Sequence, residues 1–143
     1  MSANSRLTIA AHSVAWIGLY QRQGHDVATS AQIATSVNTN PVVIRRLLGL
    51  LRDAGLVESR RGARAGWRLG RDLEAITLLD VYEAVEPSPL FSMHTAPPNQ
   101  ACVVGAGIQP ALRGIYGEIE IALRAQLART TLAEVLRETL ATG

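Results

Sequence analysis

The chain is poor in the residues on which several classes of protein depend. Its 143 residues include one cysteine, Cys102, which excludes an intrachain disulfide framework. No apolar run approaches the ~18 residues of a membrane span, and the amino terminus lacks the features of a secretory signal. With 48% hydrophobic residues, the sequence predicts a globular protein, and we expect it in the cytoplasm.

The usual catalytic signatures are also absent. The sequence has no Gly-x-Ser-x-Gly elbow, Gly-Lys-Ser phosphate loop, His-Glu-x-x-His helix or Cys-x-x-Cys pair. His12, His25 and His94 are dispersed along the chain, while Glu118 and Glu120 are two apart and point in different directions on a helix. The sequence therefore predicts no catalytic residues, no metal site and no enzymatic activity.

Lysine is missing, so all fourteen basic residues are arginine. Eight of them lie between Pro41 and Arg71 against only two acidic residues, which gives this segment a formal charge of +6 and leaves −4 for the remainder. The eight are Arg45, Arg46, Arg52, Arg60, Arg61, Arg64, Arg68 and Arg71. Positive charge concentrated in one compact unit creates a local field suited to a polyanion. Nucleic acid is the partner that this pattern indicates.

Hydrophobic periodicity predicts three helices in the first part of the chain. We expect them over residues 7–20, over residues 30–37 with Ser30 as the cap, and over residues 41–54. The third has Asn40 as its N-cap, followed by proline at the first helical position. Two helices separated by so tight a turn are typical of a helix-turn-helix unit, whose second helix is the recognition helix.

A β-hairpin follows directly. Val57 and Ser59 on one strand and Trp67 and Leu69 on the other alternate at period two, with residues 61–66 as an arginine- and glycine-rich turn. In isolation this pattern fits a solvated surface hairpin. Placed immediately after a helix-turn-helix, it is typical of a DNA-binding wing. The predicted fold is mainly α with a small β-hairpin.

The domain organisation follows from the remaining patterns. We expect a winged helix-turn-helix DNA-binding domain over residues 1–86, a flexible loop with Cys102 over residues 87–107, and a long dimerisation helix with a short C-terminal helix over residues 108–143. The long helix carries a heptad-like seam suited to pairing with a second copy. The predicted dimer-interface residues are Ile108, Leu112, Ile115, Ile119 and Ala122.

Cys102 is the one residue with possible reactive chemistry. It stands at the junction between the loop and the long helix, where the helix dipole favours the thiolate. It is either a sensor thiol or an inert, half-buried cysteine, and the sequence leaves both interpretations open.

The segment from Ile44 to Leu69 resembles the Rrf2 family of bacterial winged-helix transcription regulators. It contains Ala-Gly-Leu-Val after the recognition helix and then Arg-Gly-Ala-Arg-Ala-Gly-Trp, close to the family's Arg-Gly-x-x-Gly-Gly-Tyr wing. Ala65 replaces the first glycine of the pair, and Trp67 replaces the tyrosine. The resemblance implies a winged helix-turn-helix domain with a long dimerisation helix.

The resemblance also implies DNA-binding residues. The start of the recognition helix would read bases, and a wing arginine would enter the minor groove, a division that agrees with the chemistry of the two grooves. Base reading falls to Asn40, Val42, Val43 and Arg45, minor-groove entry to Arg61, and phosphate contacts to Arg46, Arg60, Arg64 and Arg68.

Cluster-binding members of the family carry three cysteines in the loop before the dimer helix. This chain has one, which removes the ligand set of an iron-sulfur centre, and two subunits would supply only two thiolates. The resemblance is therefore to single-cysteine members, and no cofactor is expected.

Together these observations predict a homodimeric, sequence-specific transcriptional repressor that binds an inverted-repeat operator in double-stranded DNA. Its signal would be redox, thiol-reactive or a small molecule. The alternative is a winged-helix module that uses its cationic face to bind an acidic protein and shows no DNA sequence preference.

Overall fold

The structure is a computed structural model that describes residues 3–86 and 88–142. Within these ranges it is mainly helical with a two-stranded antiparallel sheet, as the sequence predicts. The helices are α1 (Ala3–Arg22), α2 (Ser30–Val37), α3 (Pro41–Asp53), α4 (Leu78–Val85), α5 (Val103–Ala128) and α6 (Leu132–Thr142). The strands are β1 (Val57–Arg60) and β2 (Gly66–Leu69), and a 3₁₀ turn covers Leu73–Ala75.

The chain divides into two compact units. The first unit combines Met1–Pro87 with Leu127–Gly143, and the second unit is Ser88–Gln126. The first unit therefore includes α6, which the predicted domain organisation places with the long helix. Its Leu132, Ala133 and Leu136 are buried in the core of the first unit. No helix in the described ranges is long and apolar enough to cross a membrane.

The core of the first unit forms around the apolar face of α3. Ile44, Leu48 and Leu51 are fully buried, and Leu47 is 1% exposed. These residues recur at three- and four-residue spacing, so they share one side of the helix. Helix α3 packs on α1, α2, α4 and β1. Burial of one side leaves the opposite side, with its arginines, at the surface.

Local capping chemistry sets the ends of α2 and α3. Asn38 adopts the left-handed conformation (φ 63°) and ends α2, after which the Asn40 side chain accepts a hydrogen bond of 2.8 Å from the amide of Val42. The cap of α2 itself is Thr29, not Ser30 as predicted, and Thr29 forms a capping box with Gln32. The hydroxyl of Ser30 instead accepts a hydrogen bond from Trp67.

The hairpin contains the predicted strand residues, and the structure gives their pairing. Val57 pairs with Leu69 and Ser59 with Trp67. The backbone of Trp67 also exchanges two hydrogen bonds with Ala28, of 2.9 and 2.7 Å, and this joins the wing to the segment that leads into α2. A Cβ atom on Gly66 would lie 2.7 Å from the carbonyl oxygen of Ala28, so glycine is required for this close approach.

The second unit consists of an irregular segment and most of α5. The helix begins at Val103, five residues before the predicted start at Ile108, and it contains Pro110 in its interior. The ring of Phe91 lies 4.6 Å from that of Tyr116, which holds the preceding segment against one side of α5. None of the described side chains of α5 is buried.

Candidate nucleic-acid interface

We refer to the residues from Pro41 to Arg71 as the cationic segment. Its eight arginines fall into two groups of equal size. Arg52, Arg60, Arg68 and Arg71 form ion pairs. The other four are exposed and form no ion pair with any residue that the structure describes. These are Arg45 and Arg46 on α3 and Arg61 and Arg64 in the wing turn, and we refer to them as the four unpaired arginines. No acidic residue that the structure describes competes with an external anion for these four side chains.

Trp67 connects the wing to both helices of the helix-turn-helix. Its indole Nε1 donates a hydrogen bond of 3.0 Å to the hydroxyl of Ser30 on α2. The guanidinium of Arg52 on α3 lies 5.9 Å from the centroid of its ring, within range of a cation–π interaction. These contacts hold α2, α3 and the hairpin together as one unit.

A cavity of about 390 Å³ lies where the three elements meet, and its lining includes Ser30, Arg45, Arg60 and Trp67. An arginine of the recognition helix and an arginine of the wing therefore face the same recess. The exposed side of α3 and the wing consequently belong to one cationic surface.

Asp26, in the loop between α1 and α2, binds two of the wing arginines. Its carboxylate lies 2.6 Å from Arg60 and 3.5 Å from Arg68. Arg68 is also 3.9 Å from Glu58. The sequence-based prediction gave both arginines the role of contacting DNA phosphates and named no acidic residue of the chain as their partner. The acid was missed because it precedes them by 34 and 42 residues, outside any local pattern.

The residues assigned to base reading differ in their surroundings. Val42 is 48% exposed and is available to a partner. Val43 packs against the core, and the Oδ1 atom of Asn40 is engaged as the cap of α3. Arg45 is exposed and unpaired among the described residues, so it has the most freedom in this group to contact a base edge.

Cys102 is exposed and immediately precedes α5. Backbone amide hydrogen bonds from Gly105 and then Val104 lower the pKa of Cys102. Hydrogen bonds to the charged form favour that form, so the thiolate is stabilised. The position at the helix start is the one that the sequence predicted, and the thiol is exposed rather than half-buried.

The residues present do not fit an iron-sulfur cluster. Cys102 is the chain's only cysteine, and the described residues contain no group of three or more His, Cys, Asp or Glu side chains placed to hold a metal ion. An iron-sulfur cluster needs about four ligands, mostly thiolates. One chain supplies only one thiolate.

The hairpin, the tight α2–α3 turn and the cationic surface define a winged helix-turn-helix protein. A family model described as Rrf2, iron-dependent transcriptional regulator, matches residues 3–138. The chain belongs to the Rrf2 family. The predicted family, fold class and regulatory rather than enzymatic role are confirmed.

Relatives agree with this assignment over most of the chain. YwnA of Bacillus subtilis, provisionally named an HTH-type transcriptional regulator, is 39% identical over 93% of this chain and 96% of its own. The HTH-type transcriptional regulator CymR of Bacillus subtilis is 29% identical over 83% of this chain and 79% of its own. A crystal structure provisionally described as a DNA-binding protein superposes with a TM-score of 0.72 at 36% identity, covering 92% and 99% of the two chains.

Proposed function

We propose that the protein is a homodimeric repressor that binds an inverted-repeat operator in double-stranded DNA. The observation that carries this proposal is the placement of the four unpaired arginines on α3 and the wing turn, the two elements that Trp67 ties together. In this proposal the bound dimer represses by occupying the operator and excluding other proteins from the same duplex.

Each group of arginines has a distinct role in this proposal. Arg45 contacts a base edge in the major groove, where arginine can make a bidentate contact to guanine. Arg61 enters the minor groove, whose negative potential is strongest where the groove is narrow. Arg46 and Arg64 contact phosphates, and Arg60 and Arg68 join them when DNA competes with Asp26.

The Arg61→Ala substitution tests the DNA-binding proposal. We expect operator binding to weaken by at least ~1 kcal/mol, about fivefold, because a minor-groove contact is lost. The operator is first selected from random duplexes, and affinity is then measured by fluorescence anisotropy at fixed salt. The matched control is Arg137→Ala on α6, which removes an exposed arginine outside the cationic segment. Selection of no preferred sequence would favour the alternative, a module that binds an acidic protein.

We further propose that Cys102 senses oxidants or electrophiles without a bound cluster. The thiolate sulfur attacks a peroxide oxygen, the sulfur is oxidised to sulfenic acid, and the peroxide is reduced with release of hydroxide. Exposure and the lowered pKa of Cys102 both support this chemistry. The modified side chain would no longer accept the two backbone amide hydrogen bonds in the same way.

The thiol proposal is tested by alkylation and by substitution. Because the folded-state pKa of Cys102 is lowered, its reaction with iodoacetamide should reach half its maximal rate at a lower pH in the native protein than in the urea-unfolded chain. Peroxide should change operator affinity in the native protein and leave the Cys102→Ser variant unaffected. Equal peroxide responses of the two proteins would rule out the switch.

A further inference from the structure

A cavity of about 510 Å³ lies within the first unit, between α1 and α6. Nine of its thirteen lining side chains are apolar, among them Leu7, Ala11, Trp16 and Leu136. Its volume falls in the range of ~300–1,000 Å³ that is typical of small-molecule sites. Such sites combine an apolar lining with a few placed polar groups, and this cavity has the same composition.

Four lining residues are polar, namely Thr8, His12, Ser36 and Thr139, and two of them form a hydrogen-bonded pair. Nε2 of His12 and Oγ of Ser36 lie 2.8 Å apart and both line the cavity. The hydroxyl of Thr139 is already used, since it donates to the carbonyl of Val135. When Nε2 of His12 carries its proton and donates to Ser36, the hydroxyl proton of Ser36 remains available for an acceptor oxygen.

We propose that this cavity is an effector site for a small aromatic carboxylic acid. The carboxylate would accept a hydrogen bond from Ser36, whose hydroxyl is oriented by His12, and the aromatic body would lie against Trp16 and the apolar side chains. The proposal deepens the proposed function, on which its regulatory part rests, by naming the class of signal molecule.

A series of stacked side chains connects the cavity to the cationic surface. Ser36 belongs to α2, the first helix of the helix-turn-helix. Trp16 stacks on Tyr20 at 4.7 Å, and Tyr20 stacks on His25 at 3.9 Å. The next residue, Asp26, holds Arg60 and Arg68 of the wing. A ligand that moves Trp16 or α2 therefore acts on residues that position the wing.

Isothermal titration calorimetry with 1-naphthoate tests binding directly. We expect saturable binding of one molecule per chain. The Ala11→Trp substitution fills the cavity, and His12→Ala removes the residue that orients Ser36. Each should weaken binding at least tenfold. The control His94→Ala removes an exposed histidine in the second unit and should bind like the native protein. Binding of 1-naphthylamine should be at least tenfold weaker, because its amine does not replace the carboxylate acceptor.

Several outcomes would overturn the proposal. Absence of saturable naphthoate binding, or unchanged binding by His12→Ala and Ala11→Trp, would exclude the site. If Ala11→Trp fails to fold, as shown by circular dichroism, the double substitution His12→Ala with Ser36→Ala supplies the test. A shift from dimer to monomer caused by Ala11→Trp, measured by sedimentation, together with no naphthoate binding, would assign the cavity to a second copy of the chain.

The effect of the ligand on DNA binding is measured in a separate experiment. Naphthoate should change operator affinity in the native protein and in His94→Ala but not in His12→Ala. The calorimetric titration contains no DNA, so its result stands even if the chain fails to select an operator. Saturable binding with unchanged operator affinity would retain the site and reject its effector role.

Discussion

At the scale of single residues, arginines with the same formal charge differ in whether an acidic residue pairs with them in the folded chain. The sequence showed eight arginines and two acids between Pro41 and Arg71. It could not show that Asp26, outside this segment, neutralises part of the wing. Clustering of charge was therefore predictable, whereas the division into paired and unpaired arginines depended on the tertiary arrangement. We therefore expect Asp26 to limit non-specific attraction to DNA.

The Asp26→Asn substitution tests that role. It keeps the size of the side chain and removes the charge that competes with phosphate for Arg60 and Arg68. Exposed ion pairs contribute up to ~1 kcal/mol, so affinity for random duplex DNA should rise about fivefold. Binding should also become more salt-dependent, because each added phosphate contact steepens the log–log salt slope by about 0.9.

The control for Asp26→Asn is Glu74→Gln. Glu74 forms an exposed ion pair of 3.3 Å with Arg22 on α1, outside the wing turn. Both variants gain the same positive charge, so a purely global electrostatic effect would raise their DNA affinities equally. Equal salt slopes in the two variants would contradict a local role for Asp26.

At the scale of secondary-structure elements, helix caps and strand faces were predictable, because residues close together in the sequence determine them. The N-cap Asn40 occurs as the sequence predicts. The capping box of Thr77 with Asp80 and the left-handed Gly55 (φ 79°) are likewise set by neighbouring residues. The face shared by Val57 and Ser59 was also predictable, because side chains alternate at period two along a strand. These signals need no information from distant parts of the chain.

Elements whose limits depend on distant contacts were harder to predict. Thr29 and Ser30 can both cap a helix, and the hydrogen bond from Trp67 to Ser30 crosses 37 residues. The amphipathic pattern of α6 shows that one side is apolar but does not identify the surface that covers it. In the structure, the amide of Leu132 donates to the carbonyl of Ile76 and the amide of Leu78 to that of Thr130, which fixes α6 in the first unit.

At the scale of the whole molecule, α5 exposes large apolar side chains that a second copy of the chain could bury. Ile115 is 52% exposed, Ile119 41% and Ile121 70%. The predicted seam contains the first two, whereas Ile121 lies about 200° around the helix from Ile119, at 100° per residue. Leu112 is partly buried and lines a cavity together with Met93 within the second unit. Contiguous exposed apolar side chains on one face are typical of an association surface.

Two matched substitutions on α5 test the proposed dimer. Ile119→Arg places a charge in the predicted seam, and Ile121→Arg makes the same change on another side of the helix. Loss of one buried isoleucine removes about 1.5–3 kcal/mol of hydrophobic stabilisation, so Ile119→Arg should raise the dimer dissociation constant at least tenfold, measured by sedimentation equilibrium. Ile121→Arg should remain dimeric.

Because an inverted repeat is read by two linked recognition helices about 34–36 Å apart, Ile119→Arg should also lose affinity for a full operator while binding a half-site as the native chain does. A dimer dissociated by Ile121→Arg and not by Ile119→Arg would place the interface on the opposite face.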